Sequence, residues 1–453
     1  MKLIYNVEDK PKFGQLIIFA IQQLLAIMTA TLVVPVIIGN GMSPAAALFG
    51  AGIGTLVYIL FTKAKSPVFL GSSFAFIGSM TAAFAGGVSM SLGYLGLIIG
   101  AIFAGLVYVV IALIVKIAGV NWINKLMPAI VIGPTVAIIG LSLAGNAVGD
   151  LQKAMVMTAD GTQAASPLIC VLCGLITLFV TTICSTYGKK MVKLIPFIIG
   201  ILAGYAVSVI FTIIGNVANI DALKVISFAP FAALVENGVT LNTFITVPDF
   251  TFLTAFKGVG EVNGAYIGSI AVAYIPVAFV VFAEHIADHK NISSIIEKDL
   301  LAEPGLHRTL LGDGIGSMVG AFFGGCPNTT YGESVGCVAI TANASVVTII
   351  AAAVGAVLVS FISPFVAFVN SIPSCVMGGV CMALYGFIAV SGLRMFKHVD
   401  LDDNRNLFVV SVILIAGIGG LTLNFGKITI TAVACALILG IITNLILSKK
   451  VKD

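Results

Sequence analysis

The chain has 453 residues, of which 59% are hydrophobic and only 9% are charged, and its formal net charge is +4. Soluble domains carry about 25% charged residues, so this composition excludes a soluble domain of this length. The mild positive charge forms no basic patch with interleaved aromatic residues, and we predict no nucleic-acid partner. Residues 13–62 and 66–115 contain no Asp, Glu, Lys or Arg, and each run is long enough for two spans of about 20 residues. The predicted fold class is an all-α polytopic membrane protein.

Apolar runs between polar residues, Pro and Gly predict fourteen membrane segments. The first seven lie near residues 14–39, 44–61, 68–84, 91–116, 128–147, 166–185 and 194–215. The second seven lie near residues 267–290, 309–325, 328–344, 345–369, 373–392, 406–422 and 428–447. The third and tenth segments are short and rich in Gly, Ser and Thr, so we expect short extended strands in them instead of ordinary helices.

The loop cations predict the orientation of these segments. If the N-terminus is cytoplasmic, 19 of the 23 Lys and Arg residues fall on the inside. The four that fall outside are Lys153, Lys224, Lys257 and Lys427. Because cytoplasmic loops carry an excess of Lys and Arg, we predict a multi-pass plasma-membrane protein, surrounded by membrane lipid, with both termini in the cytoplasm.

A short motif repeats in the two halves of the chain. Pro128–Gly133 opens the fifth segment and Pro373–Gly378 opens the twelfth, and both read Pro-x-x-Val-x-Gly. Seven segments per half is an odd number, so the two halves must be inverted relative to each other. Inverted repeats with interrupted segments at matching positions indicate a secondary transporter with its binding site near the membrane midplane.

The first, third and tenth segments carry polar residues in an apolar setting. Gln22 and Gln23 lie within the first segment, where a buried amide needs a partner. The third segment, at Pro67–Phe76, and the tenth, at Pro327–Glu333, offer small polar residues, an aromatic and Gly. Two extended pieces that pair in mid-membrane, each followed by a half-helix, would direct backbone N–H groups at a ligand. The alternative is that Gly and Ser only allow close helix packing.

The cysteines give no indication of chemistry. Cys170 and Cys173 form a CxxC motif, but no second pair and no His accompany it at zinc spacing. No HExxH-type spacing occurs either, which argues against an intramembrane hydrolase. We therefore predict no metal site, no cofactor and no enzymatic activity.

Two carboxylates stand out in uncharged sequence. Glu333 is the only formal charge between Asp313 and Arg394, and Glu284 ends the uncharged run 262–283. A carboxylate at membrane depth costs several kcal/mol unless it faces a wet cavity or a partner, so such residues indicate function. Asp288 lies four residues after Glu284 and projects from the same helical face. Solvated charges at a cytoplasmic helix end are the alternative interpretation of this pair.

Two other polar residues nearby receive less direct roles. Asp313, flanked by two Gly residues, is predicted to cap the start of the ninth segment at the membrane interface. His289 is predicted to lie near a loop.

Six stretches together resemble the nucleobase–ascorbate transporter (nucleobase:cation symporter-2) family, and most closely its bacterial uracil-transporting members. They are residues 26–36, 70–77, 283–286, 298–308, 327–333 and 376–392. The resemblance implies a seven-plus-seven inverted fold with a core domain (1–117 and 263–370) and a gate domain (118–262 and 371–453). It also implies import of uracil with protons by alternating access, and a homodimer.

The same resemblance assigns roles to individual residues. It implies that Glu284 and Glu333 bind the substrate through their side chains, and that Phe74 and Gly332 bind it through backbone N–H groups. Tyr331 and Ala30 are implied to line the pocket. Glu333 stands where purine-transporting members carry Gln, which favours a pyrimidine.

Three positions depart from the family pattern. Gln22-Gln23 replaces a Gln-His pair, Ser334 replaces an Asn, and Asp288 replaces a His of uracil-transporting members. We predict that Glu284 couples transport to protons and that Asp288 modifies it. The nearest alternative is the same fold carrying xanthine or another purine. A more distant one is an anion exchanger or channel, for which Arg or Lys would be expected in the site.

Overall fold

A computed structural model describes residues 3–119, 122, 128–158, 161–189, 191–236, 238–397, 399–425 and 428–448. The two ends of the chain, on which the prediction of cytoplasmic termini depends, lie outside these residues. So do several cations behind the orientation prediction, namely Lys2, Lys125, Lys190, Lys427, Lys449, Lys450 and Lys452.

Helices make up most of the described chain. The first half contains α1 (Phe13–Ile38), α2 (Pro44–Phe61), β1 (Leu70–Ser72), α3 (Ile77–Ala83), α4 (Met90–Ala118), α5 (Ala129–Ser142), α6 (Ala144–Asp150), α7 (Pro167–Tyr187), α8 (Met191–Leu194) and α9 (Pro196–Ala218). A connecting region contains α10 (Ala229–Ala233) and α11 (Thr251–Ala255). The second half contains α12 (Gly264–Ile296), α13 (Leu306–Gly324), β2 (Asn328–Thr330), α14 (Gly332–Thr341), α15 (Val346–Val359), α16 (Ser363–Asn370), α17 (Ser374–Met395), α18 (Asn404–Ile418), β3 (Leu423–Phe425), β4 (Ile428–Ile430) and α19 (Ala432–Ser448). Short 3₁₀ turns lie at Phe74–Phe76, Asp221–Leu223, Leu241–Thr243 and Phe256–Glu261, and a π turn lies at Leu301–Gly305.

Many of these helices are suited to a bilayer. Within the described ranges, eight helical stretches are at least 18 residues long and apolar enough to cross a membrane: α1, α2, α4, α5 with α6, α7, α9, α12 and α17. Shorter apolar helices are Phe74–Ala83, α15, α18 and α19. Together with α13 and α14, they place a helix in each of the fourteen predicted segments. The predicted polytopic helical fold is confirmed.

Some predicted boundaries were wrong. The eleventh segment is split into α15 and α16, because Pro364 stands in the first turn of a new helix, where its missing N–H has no cost. The fourteenth was predicted to be helical from residue 428, but residues 428–430 form β4, which pairs with β3 in an antiparallel ladder. The sequence Ile-Thr-Ile there consists of β-branched residues, which favour strands.

The predicted strands in the third and tenth segments are confirmed. β1 and β2 pair antiparallel, with Leu70 opposite Thr330 and Ser72 opposite Asn328. The Ser73 N–H donates to the Pro327 carbonyl (2.9 Å) and extends the ladder. Antiparallel pairing of equivalent segments is the relation expected of an inverted repeat.

Contacts divide the chain into two compact units. The first comprises Met1–Ser142, Asp249–Val357 and Ile388–Asp453, and the second comprises Leu143–Pro248 and Leu358–Phe387. All the residues predicted to form the site belong to the first unit. The division into core and gate domains stays a prediction.

Within the first unit, α13 packs against α2 through glycines. A Cβ added to Gly316 would lie 2.7 Å from the Gly54 carbonyl oxygen, and one added to Gly50 would overlap the Gly320 carbonyl. The two backbones are therefore in direct contact, with no room for side chains between them. These glycines of the second and ninth segments thus allow close helix packing.

We expect Gly50→Ala to lower the thermal unfolding temperature of the detergent-solubilised protein, because the added methyl must push α2 away from α13. Overpacking of this kind costs about 1–3 kcal/mol. Gly14→Ala on α1, where an added Cβ has nothing within 4 Å, is the matched control and should not lower it. Equal melting temperatures for the two variants would contradict the direct backbone contact.

Candidate functional site

The site is built where β1 and β2 cross. Each strand leads directly into a helix start: β1 into the turn at Phe74–Phe76 and α3, and β2 into α14. The first N–H groups of a helix have no acceptor inside it and form its positive end. Tyr331 precedes α14 without capping it through its side chain, and Gly332, its first residue, is exposed. The start of α14 is thus open to a ligand.

Tyr331 forms a wall of this region. Its ring covers Gly71 so closely that a Cβ at position 71 would overlap it. Its hydroxyl donates to the Ser72 carbonyl (2.8 Å), and the Thr31 hydroxyl of α1 lies 3.4 Å from it. Ala30, next to Thr31, is buried. The structure therefore places Tyr331 at the strand crossing and Ala30 on the adjacent helix.

Three carboxyl groups converge beside the start of α14. Glu284 and Asp288 on α12 and Glu333 on α14 are all partly exposed and lie within electrostatic range of one another. Asp288 Oδ2 accepts a hydrogen bond from the Thr330 hydroxyl (2.8 Å), and its Oδ1 is 3.7 Å from where a Cβ of Gly332 would lie. Because α12 continues to Ile296, neither acidic residue of α12 marks a helix end.

Phe74 is the remaining residue assigned to the site. It is the first residue of the turn after β1 and is 9% exposed. The region as a whole thus contains carboxyl acceptors from α12 and α14 and two helix starts. In the described part of the chain, no group of three or more His, Cys, Asp or Glu residues is arranged to hold a metal ion.

A buried bond behind the site was missed by the sequence analysis. The Gln23 amide of α1 donates to Ser334 Oγ, which also accepts the Phe69 N–H (3.0 Å). Ser334 therefore ties α1 and the residue before β1 to the first turn of α14. The sequence did point to these two residues, because Gln23 and Ser334 are both departures from the family pattern.

The predictions for Asp313 and His289 were wrong. α13 begins at Leu306, so Asp313 lies two turns inside it and is fully buried. Its Oδ2 is 2.7 Å from His285 Nδ1. His289 is also fully buried, with Nε2 2.7 Å from the Tyr58 hydroxyl. Polar groups persist in an apolar core only when they are paired, and here the partners come from distant segments.

The chain matches known proteins over nearly its whole length. A family model described as a permease family (Xan_ur_permease) matches residues 14–425. The chain belongs to this permease family. The uracil permease of Bacillus caldolyticus is 38% identical over 450 residues, which cover 98% of this chain and 95% of that protein. The uracil permease of Bacillus subtilis (strain 168) is 38% identical over 454 residues, with the same coverage.

The fold is also found among solved structures. The transmembrane domain of the cyanobacterial bicarbonate transporter BicA superposes with a TM-score of 0.63 at 14% identity, covering 97% of this chain and all of that domain. At such low identity the likeness concerns the fold alone. The family membership confirms the resemblance drawn from the sequence motifs. The protein is a multi-pass membrane transporter of the nucleobase permease family and not an enzyme.

The exposure of Gly332 predicts that water reaches the start of α14. In a cysteine-free background, Gly332→Cys should react with a water-soluble thiol reagent faster than Ser334→Cys by about an order of magnitude, because thiol reactivity follows accessibility. Ser334 is fully buried only two residues away, so it is the matched control. Similar labelling rates at the two positions would show that the start of α14 does not face an aqueous cavity.

Proposed function

We propose that this protein imports uracil together with protons by alternating access across the cell membrane. The observation that carries the proposal is the convergence of Glu284, Asp288 and Glu333 on the open start of α14. The relatives named uracil permeases support the choice of substrate, since they match almost the entire chain. A core and a gate domain, divided as the resemblance implies, and a homodimer belong to the same proposal.

The chemistry of uracil complements this set of groups. Its ring presents two N–H donors and two carbonyl acceptors in one plane. In the proposed complex, Glu284 and Glu333 accept the ligand N–H groups, and the backbone N–H groups of Phe74 and Gly332 donate to its carbonyls. Tyr331 and Ala30 line the pocket. Hydrogen bonds with a charged partner are about twice as strong as neutral ones, so the carboxylates dominate recognition.

Among the alternatives, a purine carrier of the same fold would differ from a uracil carrier only in its ligand, which has a different shape and a different set of hydrogen-bonding groups along its edge. A carboxylate at position 333, where purine-transporting members carry an amide, favours the smaller pyrimidine. Anion transport is disfavoured although the bicarbonate transporter shares the fold. Three carboxyl groups repel an anion electrostatically.

Proton coupling is assigned to Glu284, with Asp288 as its modifier. Glu284 lies on α12 within electrostatic range of three other carboxyl groups, Asp288, Glu333 and Asp313, so protonating it changes both the charge and the hydrogen-bonding capacity of the site. Asp288 already accepts the Thr330 hydroxyl, which holds it at the edge of the site. A carrier that takes up a proton with its substrate needs such a carboxyl at membrane depth.

Uptake of labelled uracil into proteoliposomes with an imposed pH gradient tests the proposal. We expect uptake that unlabelled uracil blocks and that xanthine and hypoxanthine do not, and we expect a proton uncoupler to abolish accumulation. In Glu333→Gln, uracil affinity should fall about tenfold or more, because the amide turns one acceptor into a donor and leaves a buried group unpaired. Glu303→Gln, at the exposed carboxyl of the π turn, which pairs with Lys65, is the control. Full uracil affinity in Glu333→Gln would remove this residue from the site.

The role of Glu284 is tested by measuring whether uracil accumulates against its own gradient when a pH gradient is imposed. Glu284→Gln should lose pH-driven accumulation, because an amide does not take up a proton in this range. Asp288→Asn makes the same chemical change one turn away and keeps an acceptor for Thr330, so it should still accumulate uracil. Accumulation against a gradient by Glu284→Gln would overturn the assignment.

A further inference from the structure

The face of α12 next to the one that carries Glu284 and Asp288 bears two histidines that the proposed function leaves unexplained. His285 and His289 are fully buried, and their rings stack with centroids 4.0 Å apart. Glu284 and Asp288 each precede one of them and are partly exposed. One helix therefore presents acids to the site and imidazoles to the protein interior.

The side chain of His285 has a hydrogen-bond partner at each ring nitrogen. Its Nε2 is 3.0 Å from the Thr309 hydroxyl, which also contacts the Leu306 carbonyl. Its Nδ1 is 2.7 Å from Asp313 Oδ2. The ring therefore joins α12 to two residues of α13.

Within the described residues, Asp313 has no second hydrogen bond. Its Oδ1 is buried without a partner, so the bond to His285 is what pairs this carboxyl. Loss of that bond would leave a buried polar group unsatisfied, which is costly.

His289 makes a separate attachment. Its Nδ1–H donates to the His285 carbonyl (2.8 Å), and its Nε2 meets the Tyr58 hydroxyl of α2. A backbone carbonyl accepts hydrogen bonds but has no proton to pass on, so the two histidines do not form a continuous proton path. Their contacts attach α12 to its neighbours.

Helix α13 contacts α12, which carries two of the site carboxyls, and β2, which leads to the third. Asp313 binds α12, and Ser317, one turn later on α13, accepts the Asn328 N–H of β2 (2.9 Å). β2 leads within three residues of its end to Glu333. α12 itself contains Pro276, which removes a backbone hydrogen bond and weakens the helix before the site. The hydrogen bonds that α12 side chains make to neighbouring helices after Pro276 therefore have more influence on the position of Glu284.

We propose that His285 and Asp313 are a positioning pair, which through α13 sets the depth and rotation of Glu284 relative to Glu333. This inference rests on the proposed function, because the distance between the two carboxyls matters only if both bind the same ligand. His285 does not touch the ligand. It fixes the position of α12 against α13 through its hydrogen bond to Asp313.

Uracil binding to the purified protein tests the pair. In His285→Leu, the dissociation constant should rise about tenfold or more, as expected for loss of a hydrogen bond to an ionisable partner. In His285→Asn, the side-chain amide can occupy the place of Nδ1 and bind Asp313, so the constant should stay within about threefold. In His285→Gln, the amide reaches instead toward Thr309, and affinity should fall as in His285→Leu. Tyr108 lies beside the His285 ring, and its buried hydroxyl has no hydrogen-bond partner among the described residues. Tyr108→Phe removes this hydroxyl and should bind uracil normally.

The outcomes separate the possible failures. Normal uracil affinity in His285→Leu, or better binding by His285→Gln than by His285→Asn, would overturn the positioning pair. If His285→Leu does not fold, the comparison of the Asn and Gln variants decides alone, since a purely structural role of ring volume would lower both equally. Failure of the unaltered protein to bind uracil would contradict the proposed function instead.

Discussion

Inside a bilayer every backbone N–H and C=O group must find a partner within the protein, and the pairing of β1 with β2 meets this requirement where two helices are interrupted. Each strand supplies the other with hydrogen bonds over three residues. This pairing allows α14 to start directly after β2 with its first residue, Gly332, exposed. Without the ladder, Asn328–Thr330 could not be extended inside the protein, and a ligand would meet no backbone donors at the start of α14.

The site carboxyls also depend on how the helices pack, because the position of a side chain follows the position of its helix. α13 is in backbone contact with α2 through glycines, and it binds α12 through Asp313 and β2 through Ser317. The glycines and the polar residues of α13 thus have two different roles. Glycine packing fixes the helix, and its hydrogen bonds then place α12, which carries Glu284 and Asp288, and β2, which leads to Glu333. A buried polar pair in this setting contributes geometry more than stability.

Much of the candidate site could be proposed from the sequence because single residues break a uniform background. Glu333 and Glu284 are conspicuous in uncharged sequence, and Pro327 with its small polar neighbours predicted the strand in the tenth segment. The role of Asp313 was not predictable, because its partner His285 is 28 positions away and helical spacing relates only nearby residues. The break before Ser363 and the strand at residues 428–430 were missed because apolar runs give length but not conformation. A run of β-branched residues is compatible with a strand and with a membrane helix, and the sequence alone does not show whether a partner strand lies beside it.

The order in which the chain is made has a consequence for β1. Its partner β2 follows roughly 260 residues later, and synthesis at about 5–20 residues per second makes this an interval on the order of 13–50 s. During that time the backbone groups of Leu70–Ser72 have no strand to pair with, so the third segment cannot settle at its final depth alone. It must remain beside water or the insertion machinery until α13 and β2 have entered the membrane. The proposed binding site can therefore assemble only after β2 has been made, and a chain cut short before Asn328 would be left with an unsatisfied strand for quality control to recognise.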